Sequence, residues 1–158
     1  MSIVIFSDPI HSGKTTRLWH WCDQQQYVAG ILMPDINGLR HIMDVPSKAS
    51  FIIQCIDPEN SNDLLVSIGS YHFYANGFTK ANSILLKHAS MQYNWLVIDE
   101  VGKLELEGKG LYPAVSGIIN SHSYTNLLLV VREGLYEPVI DFFKIAEHRV
   151  VHQLDDLV

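Results

Sequence analysis

Several things are scarce in this chain, and each shortage excludes a class of protein. Only two cysteines, Cys22 and Cys55, occur in 158 residues. They are too few for a disulfide framework and lack metal-ligand spacing, which predicts a reducing, cytoplasmic setting. Basic residues are outnumbered: 11 Lys and Arg against 17 Asp and Glu give a formal net charge of −6. Lys and Arg form no run or stripe, so a polyanionic nucleic acid is not an expected partner. No apolar stretch is long enough to span a membrane. Met1 to Phe6 has no basic region and its apolar run stops at Ser7, unlike a signal peptide. Repeats, low-complexity tracts and linkers are also missing. What is present is 47% hydrophobic residues, enough for one domain over residues 1–158 with a real core.

The most informative stretch is Ser7 to Thr16, SDPIHSGKTT, between the apolar run Ile3 to Phe6 and an amphipathic stretch from Arg17. A strand, a tight loop and a helix in that order, closing on Gly13-Lys14-Thr15, form a phosphate-cradling P-loop. Its backbone N–H groups face phosphate, Lys14 reaches the β/γ oxygens and the Thr15 hydroxyl faces Mg²⁺. The positive end of the helix adds to this. The candidate nucleotide-binding residues are therefore Asp8, Pro9, Ile10, His11, Ser12, Gly13, Lys14, Thr15 and Thr16. Asp8 stands where the pattern G-x-x-x-x-G-K-[ST] has glycine. It brings a Cβ and a like charge toward a polyanion unless its side chain turns away, so weakened binding is expected. His11, near phosphate, either donates to a γ-oxygen with pH dependence or only occupies the loop tip. The other histidines are expected at the surface or in packing.

Downstream, Leu18, Trp21 and Cys22 make the buried stripe of a first helix running to about Gln25. Val28 to Met33 is a predicted strand, Pro34 to Gly38 a hairpin turn into Leu39 to Met43, and Phe51 to Ile56 a further strand. Leu64 to Ile68 and Tyr71 to Tyr74 flank Gly69-Ser70 as a second hairpin, so residues 34–75 read as a β-rich insertion. A helix follows to about Met91, with Phe78, Ala81, Leu85 and Ala89 on one face. Later helices are predicted around Leu111 to Ile119 and Leu135 to Phe143, with Lys144 to Val151 as the last strand.

Trp95 to Glu100 and Leu127 to Val131 are uninterrupted apolar runs, the signature of strands buried on both faces of a parallel sheet. Strands alternating with helices predict an α/β, doubly wound, mostly parallel sheet. Ligands sit at the carboxyl edge of such a sheet, which places Asp99 and Glu100 beside the phosphate loop. Asp99 can then hold Mg²⁺, and Glu100 can orient and deprotonate an attacking water. Arg132 follows its strand at once and either stabilises transition-state charge or makes a local contact such as a salt bridge to Glu133.

The segment Ile98 to Gly110, IDEVGKLELEGKG, resembles the second motif of the P-loop nucleoside-triphosphatase family known from thermophiles and as the cancer-related nucleoside-triphosphatase. That family reads D-E-[IV]-G-[K/P]-[ML]-E-L, matching Asp99 to Leu106. Gly30 to Pro34 with Gly38-Leu39-Arg40 and Asp44, Gly77-Phe78 with Ala81 and Leu85, and Val131 to Leu135 are similar to it as well. The resemblance implies a RecA-like core and Mg²⁺-dependent hydrolysis of several nucleoside triphosphates, with Mg²⁺ as cofactor and no protein partner indicated. Two other classes share the loop: a nucleotide-binding regulatory module with little turnover, and a small-molecule or nucleotide kinase. The kinase fits less well, because the arginines are scattered rather than gathered on a lid.

Overall fold

A computed structural model describes residues 1–9 and 13–157. Its first strand, β1 (Ser2–Asp8), is apolar on both faces and sits inside a parallel sheet, between β9 (Asn126–Arg132) and the short β10 (Arg149–Val151). β9 pairs in turn with β8 (Trp95–Val101), and β8 with β2 (Val28–Leu32), all parallel. The strand order is therefore β10-β1-β9-β8-β2, and the strand carrying Asp99 and Glu100 is separated from β1 by β9.

Period-two alternation divides the core into two layers. Ile3, Ile5, Ile98, Leu127 and Leu129 face one side, where helices α2 (Ala75–Ala89), α4 (Tyr112–Ser121) and α5 (Tyr136–Phe143) pack with Phe78, Leu85, Ile118 and Val139. Val4, Phe6, Val97, Leu128 and Val130 face the other side, covered by Leu18 and Cys22 of α1 (Lys14–Gln24) and by Leu157 of a C-terminal 3₁₀ turn. Both faces are covered, as the apolar runs require. Trp21 packs edge-on against Trp95 with ring centroids 5.5 Å apart, so it serves packing.

The β-rich middle extends this sheet. β4 (Leu39–Asp44) runs antiparallel to β2 and carries β3 (Asp35–Ile36) and β5 (Ser50–Ile52) beside it. β6 (Leu65–Ile68) and β7 (Tyr71–Tyr74) form the second hairpin as a separate two-stranded sheet. The predicted strand Phe51 to Ile56 is shorter than expected: ladder pairing stops at Ile52, and only a single bridge joins Gln54 to Phe73.

The last predicted strand is also corrected, from Lys144–Val151 to Arg149–Val151. Lys144 takes a left-handed φ of 54° and the Ile145 N–H donates to Ile140 O at 3.0 Å. This is the helix-closing turn in which an apolar residue just past the end packs back on the helix. Ile145 is buried for that reason and not as part of a strand.

Candidate active site at the carboxyl edge of the sheet

β1, β9 and β8 end side by side, so their last residues form one edge. Asp8 is in register with Arg132, and Val131 with both Ser7 and Val101. Gly13 precedes α1 with φ 77°, a left-handed conformation that glycine adopts without strain. Lys14, the first residue of α1, reaches back across the loop and donates from Nζ to Asp8 O at 3.1 Å and Pro9 O at 3.2 Å. Ile10, His11 and Ser12, expected to contact nucleotide, lie outside the described residues.

The two sequence motifs meet at one atom. The Thr15 hydroxyl donates to Asp99 Oδ2 at 3.0 Å, and the Met33 N–H donates to the same oxygen at 3.0 Å. Asp99 is 1% exposed. Burial, then the neighbouring Glu100 charge, push its carboxyl up to about 6 from 3.8, against the two hydrogen bonds and the Arg40 charge, which act the other way.

Glu100 next to it has the opposite surroundings. β8 bulges between Ile98 and Val101, placing one more residue there than on β9. Glu100 occupies the bulge with φ 61°, strained for a non-glycine residue, and its side chain is 43% exposed. Bulges and left-handed residues of this kind re-aim side chains at functional sites. One acid is thus held in the core and the other presented to solvent, so two adjacent carboxyls stand in opposite environments.

Two arginines that sequence reasoning did not assign to the site border it. Arg40, on β4, donates from Nη1 to Met33 O at 2.8 Å and lies 3.4 Å from Glu100 Oε1. Arg17, one turn into α1, forms an ion pair with Asp8 Oδ2. A signal existed for Arg17, since Asp8 shares strand parity with Phe6 and so faces α1. Arg40 comes from an antiparallel strand whose placement the sequence did not fix. Arg132 stands at the edge in register with Asp8, and among the described residues no ion pair joins it to Glu133. Thr16 follows Thr15 in the first turn of α1.

Two further polar residues are buried. Glu105 of the second motif is 3% exposed and accepts the Gly102 N–H at 2.8 Å and the Leu111 N–H at 2.9 Å, tying the short helix α3 (Lys103–Leu106) to the start of α4. His88 is buried between α2 and the sheet: its Nδ1 accepts the Gly30 N–H at 3.1 Å, and its Nε2 lies 2.9 Å from Asp44 Oδ1. Burial lowers the His88 pKa.

Among the described residues no group of three or more His, Cys, Asp or Glu stands together as a metal cluster. A cation at this edge would rely on the Thr15 hydroxyl, the Asp99 carboxylate and oxygens of a ligand, a hard, sparse donor set that suits Mg²⁺. The buried Asp99 fits such an ion, because a nearby divalent charge offsets the burial that now raises its pKa. No described helix is long and apolar enough to cross a membrane.

A model of the family described as NTPase matches residues 4–156. No curated protein sequence matches. Among solved structures, the chain is similar to THEP1 from the hyperthermophile Aquifex aeolicus, at a TM-score of 0.73 and 20% identity over 100% of this chain and 97% of that one. It is also similar to a human cancer-related nucleoside triphosphatase, at a TM-score of 0.70 and 18% identity over 96% and 88%. At these identities the likeness speaks for the fold, the P-loop α/β sheet that the alternation of strands and helices predicts.

Proposed function

Because the chain belongs to the NTPase family, we propose that it hydrolyses nucleoside triphosphates, ATP among them, to diphosphate and phosphate. On this reading the reaction is Mg²⁺-dependent, slow and tolerant of the base. The observation that carries it is the 3.0 Å contact of Thr15 with Asp99, which joins the phosphate loop to the acidic strand end at a single oxygen. The name of the human neighbour, a nucleoside triphosphatase, agrees with it.

In this mechanism Lys14 exchanges the carbonyls of Asp8 and Pro9 for the β/γ oxygens, and the backbone N–H groups of the loop hold the β-phosphate. Thr15 and Asp99 would hold Mg²⁺, which when bound neutralises charge on the phosphate oxygens. Glu100, exposed on its bulge, orients a water and takes its proton. Arg40 steadies that carboxylate. Arg132, between the loop and the acids, balances charge that builds on the transferring group.

The competing reading is a binding module, favoured by the carboxylate of Asp8 in the loop. Phosphate release from ATP, GTP, CTP and UTP with Mg²⁺ separates the two. Turnover of several of them supports hydrolysis. Binding without turnover supports the module, and no binding at all ends both readings.

A further inference from the structure

We propose that Arg17 is a charge-masking residue that lets the phosphate loop accept a triphosphate despite Asp8. This rests on the reading of the loop as a nucleotide site and deepens it.

Asp8 continues the alternation of β1: Val4 and Phe6 pack on the α1 side of the sheet, and Asp8 has the same parity. Its carboxylate meets the Arg17 guanidinium in an ion pair. The guanidinium also lies over the Phe6 ring, with Cζ 5.7 Å from the centroid. Arg17 is held in place by helix as well as by ring, since its N–H donates to Gly13 O at 3.1 Å in the first turn of α1. The Asp8 side chain is 17% exposed and that of Arg17 43%, so the acid is the more enclosed partner.

Charge arithmetic shows what the pair accomplishes. Among the described loop residues Lys14 supplies one positive charge, and an unmasked Asp8 would cancel it just where a polyanion must arrive. Paired with Arg17, Asp8 contributes little net field, and Lys14 with the N-terminal end of α1 decides the sign of the loop. Masking is therefore specific to a chain with an acid at this position. With glycine there, Arg17 has nothing to mask.

The test is a double-mutant cycle on ATP binding with Mg²⁺, read by calorimetry on the full chain. Arg17→Ala weakens binding roughly five- to tenfold, the size expected for exposing one charge several ångströms from a phosphate at intermediate dielectric. Asp8→Gly/Arg17→Ala binds within about twofold of Asp8→Gly, since the loss acts only through Asp8. Arg17→Lys recovers most of the loss by restoring the charge, and raising the salt shrinks the Arg17→Ala penalty, as screening requires and loss of packing does not. Arg17→Gln serves as a second truncation that keeps much of the side-chain volume. An equal loss in the Asp8→Gly background overturns the proposal, because Arg17 would then act on the nucleotide or on α1 directly. No loss in the parent background also overturns it. A folded parent that binds no ATP overturns the nucleotide reading itself, an outcome distinct from the other two.

Discussion

The Thr15 hydroxyl and the Asp99 carboxylate, 84 positions apart in sequence, stand 3.0 Å apart, and the Met33 N–H reaches the same oxygen. One buried atom thereby joins the first turn of α1, the end of β8 and the segment after β2. The burial of this junction makes its charge costly, because a carboxylate with two donors in the core has lost most of its hydration.

From this we predict an inverse pH dependence of stability at Asp99. Its folded pKa is raised from 3.8 to about 6, so between those values the folded state holds more protons than the unfolded one. Its contribution falls as pH rises through that window, and the full cost is present above it. Without metal or nucleotide, Asp99→Asn should melt a few degrees higher than the parent near pH 8 and close to it near pH 4. Melting curves across pH check this, and a gap that does not widen with pH refutes it. In turnover the same variant should need more Mg²⁺.

A second prediction concerns Lys14. On the proposed mechanism its ammonium is the charge that the loop directs to phosphate, and in this structure it rests on Asp8 O and Pro9 O. Lys14→Ala should remove most ATP binding, by about a hundredfold or more, as expected when a charge-assisted contact to phosphate is deleted. Fold should persist, because the lost bonds are partly exposed. Equal binding by variant and parent in calorimetry would end the P-loop reading.

The parallel part of the sheet was legible because β1, β2, β8 and β9 are short apolar runs buried on both faces and separated by helical patterns. Val97-Ile98-Asp99-Glu100 announced both a buried strand and an acidic edge, and β8 carries them there. Side-chain partners set by strand parity or by antiparallel neighbours were harder to see. The pairing of Asp8 with Arg17 was hidden because it depends on which face of β1 Asp8 takes. Arg40 belongs to the same class, since its approach to Glu100 follows from β4 lying beside β2. Ile145 looked like strand because local hydrophobicity does not distinguish a strand residue from one that closes a helix. His88, read as surface or packing, owes its burial to two polar partners distant in sequence, Gly30 and Asp44.

A third prediction separates proton transfer from positioning at the bulge. Glu100→Gln should keep Mg²⁺-nucleotide affinity and lower turnover about 10²-fold or more, because shape survives and the base does not. Arg40→Ala should lower kcat less, by roughly tenfold, with KM little changed. It frees the Glu100 carboxylate without removing it, and Arg40→Lys should restore part of the rate. Unchanged turnover in Glu100→Gln would remove this residue from the mechanism.

The last prediction concerns Glu105, the motif acid that the fold turns inward. Its two oxygens accept the Gly102 and Leu111 N–H groups, and burial pushes its carboxyl up to about 7 from 4.5. Glutamine offers one acceptor where the site needs two and sets an NH₂ against a donor, so Glu105→Gln should destabilise by about 1–3 kcal/mol. The parent also loses stability from this group as pH rises from 4.5 to about 7, since the raised pKa again means that the folded state holds the extra proton. In Glu105→Gln that slope is gone, so its deficit should be larger near pH 4.5 than near pH 8. Gly110 supplies an independent check. It has φ 61°, and a Cβ there would stand 2.2 Å from Glu105 Oε2. Gly110→Ala must strain the backbone and displace the carboxylate together, at about 2–4 kcal/mol. If the capping role is the whole of it, both variants should lose melting temperature while retaining, below the melt, the parent's affinity for ATP. A loss of ATP affinity in well-folded Glu105→Gln would instead place this acid in the nucleotide site.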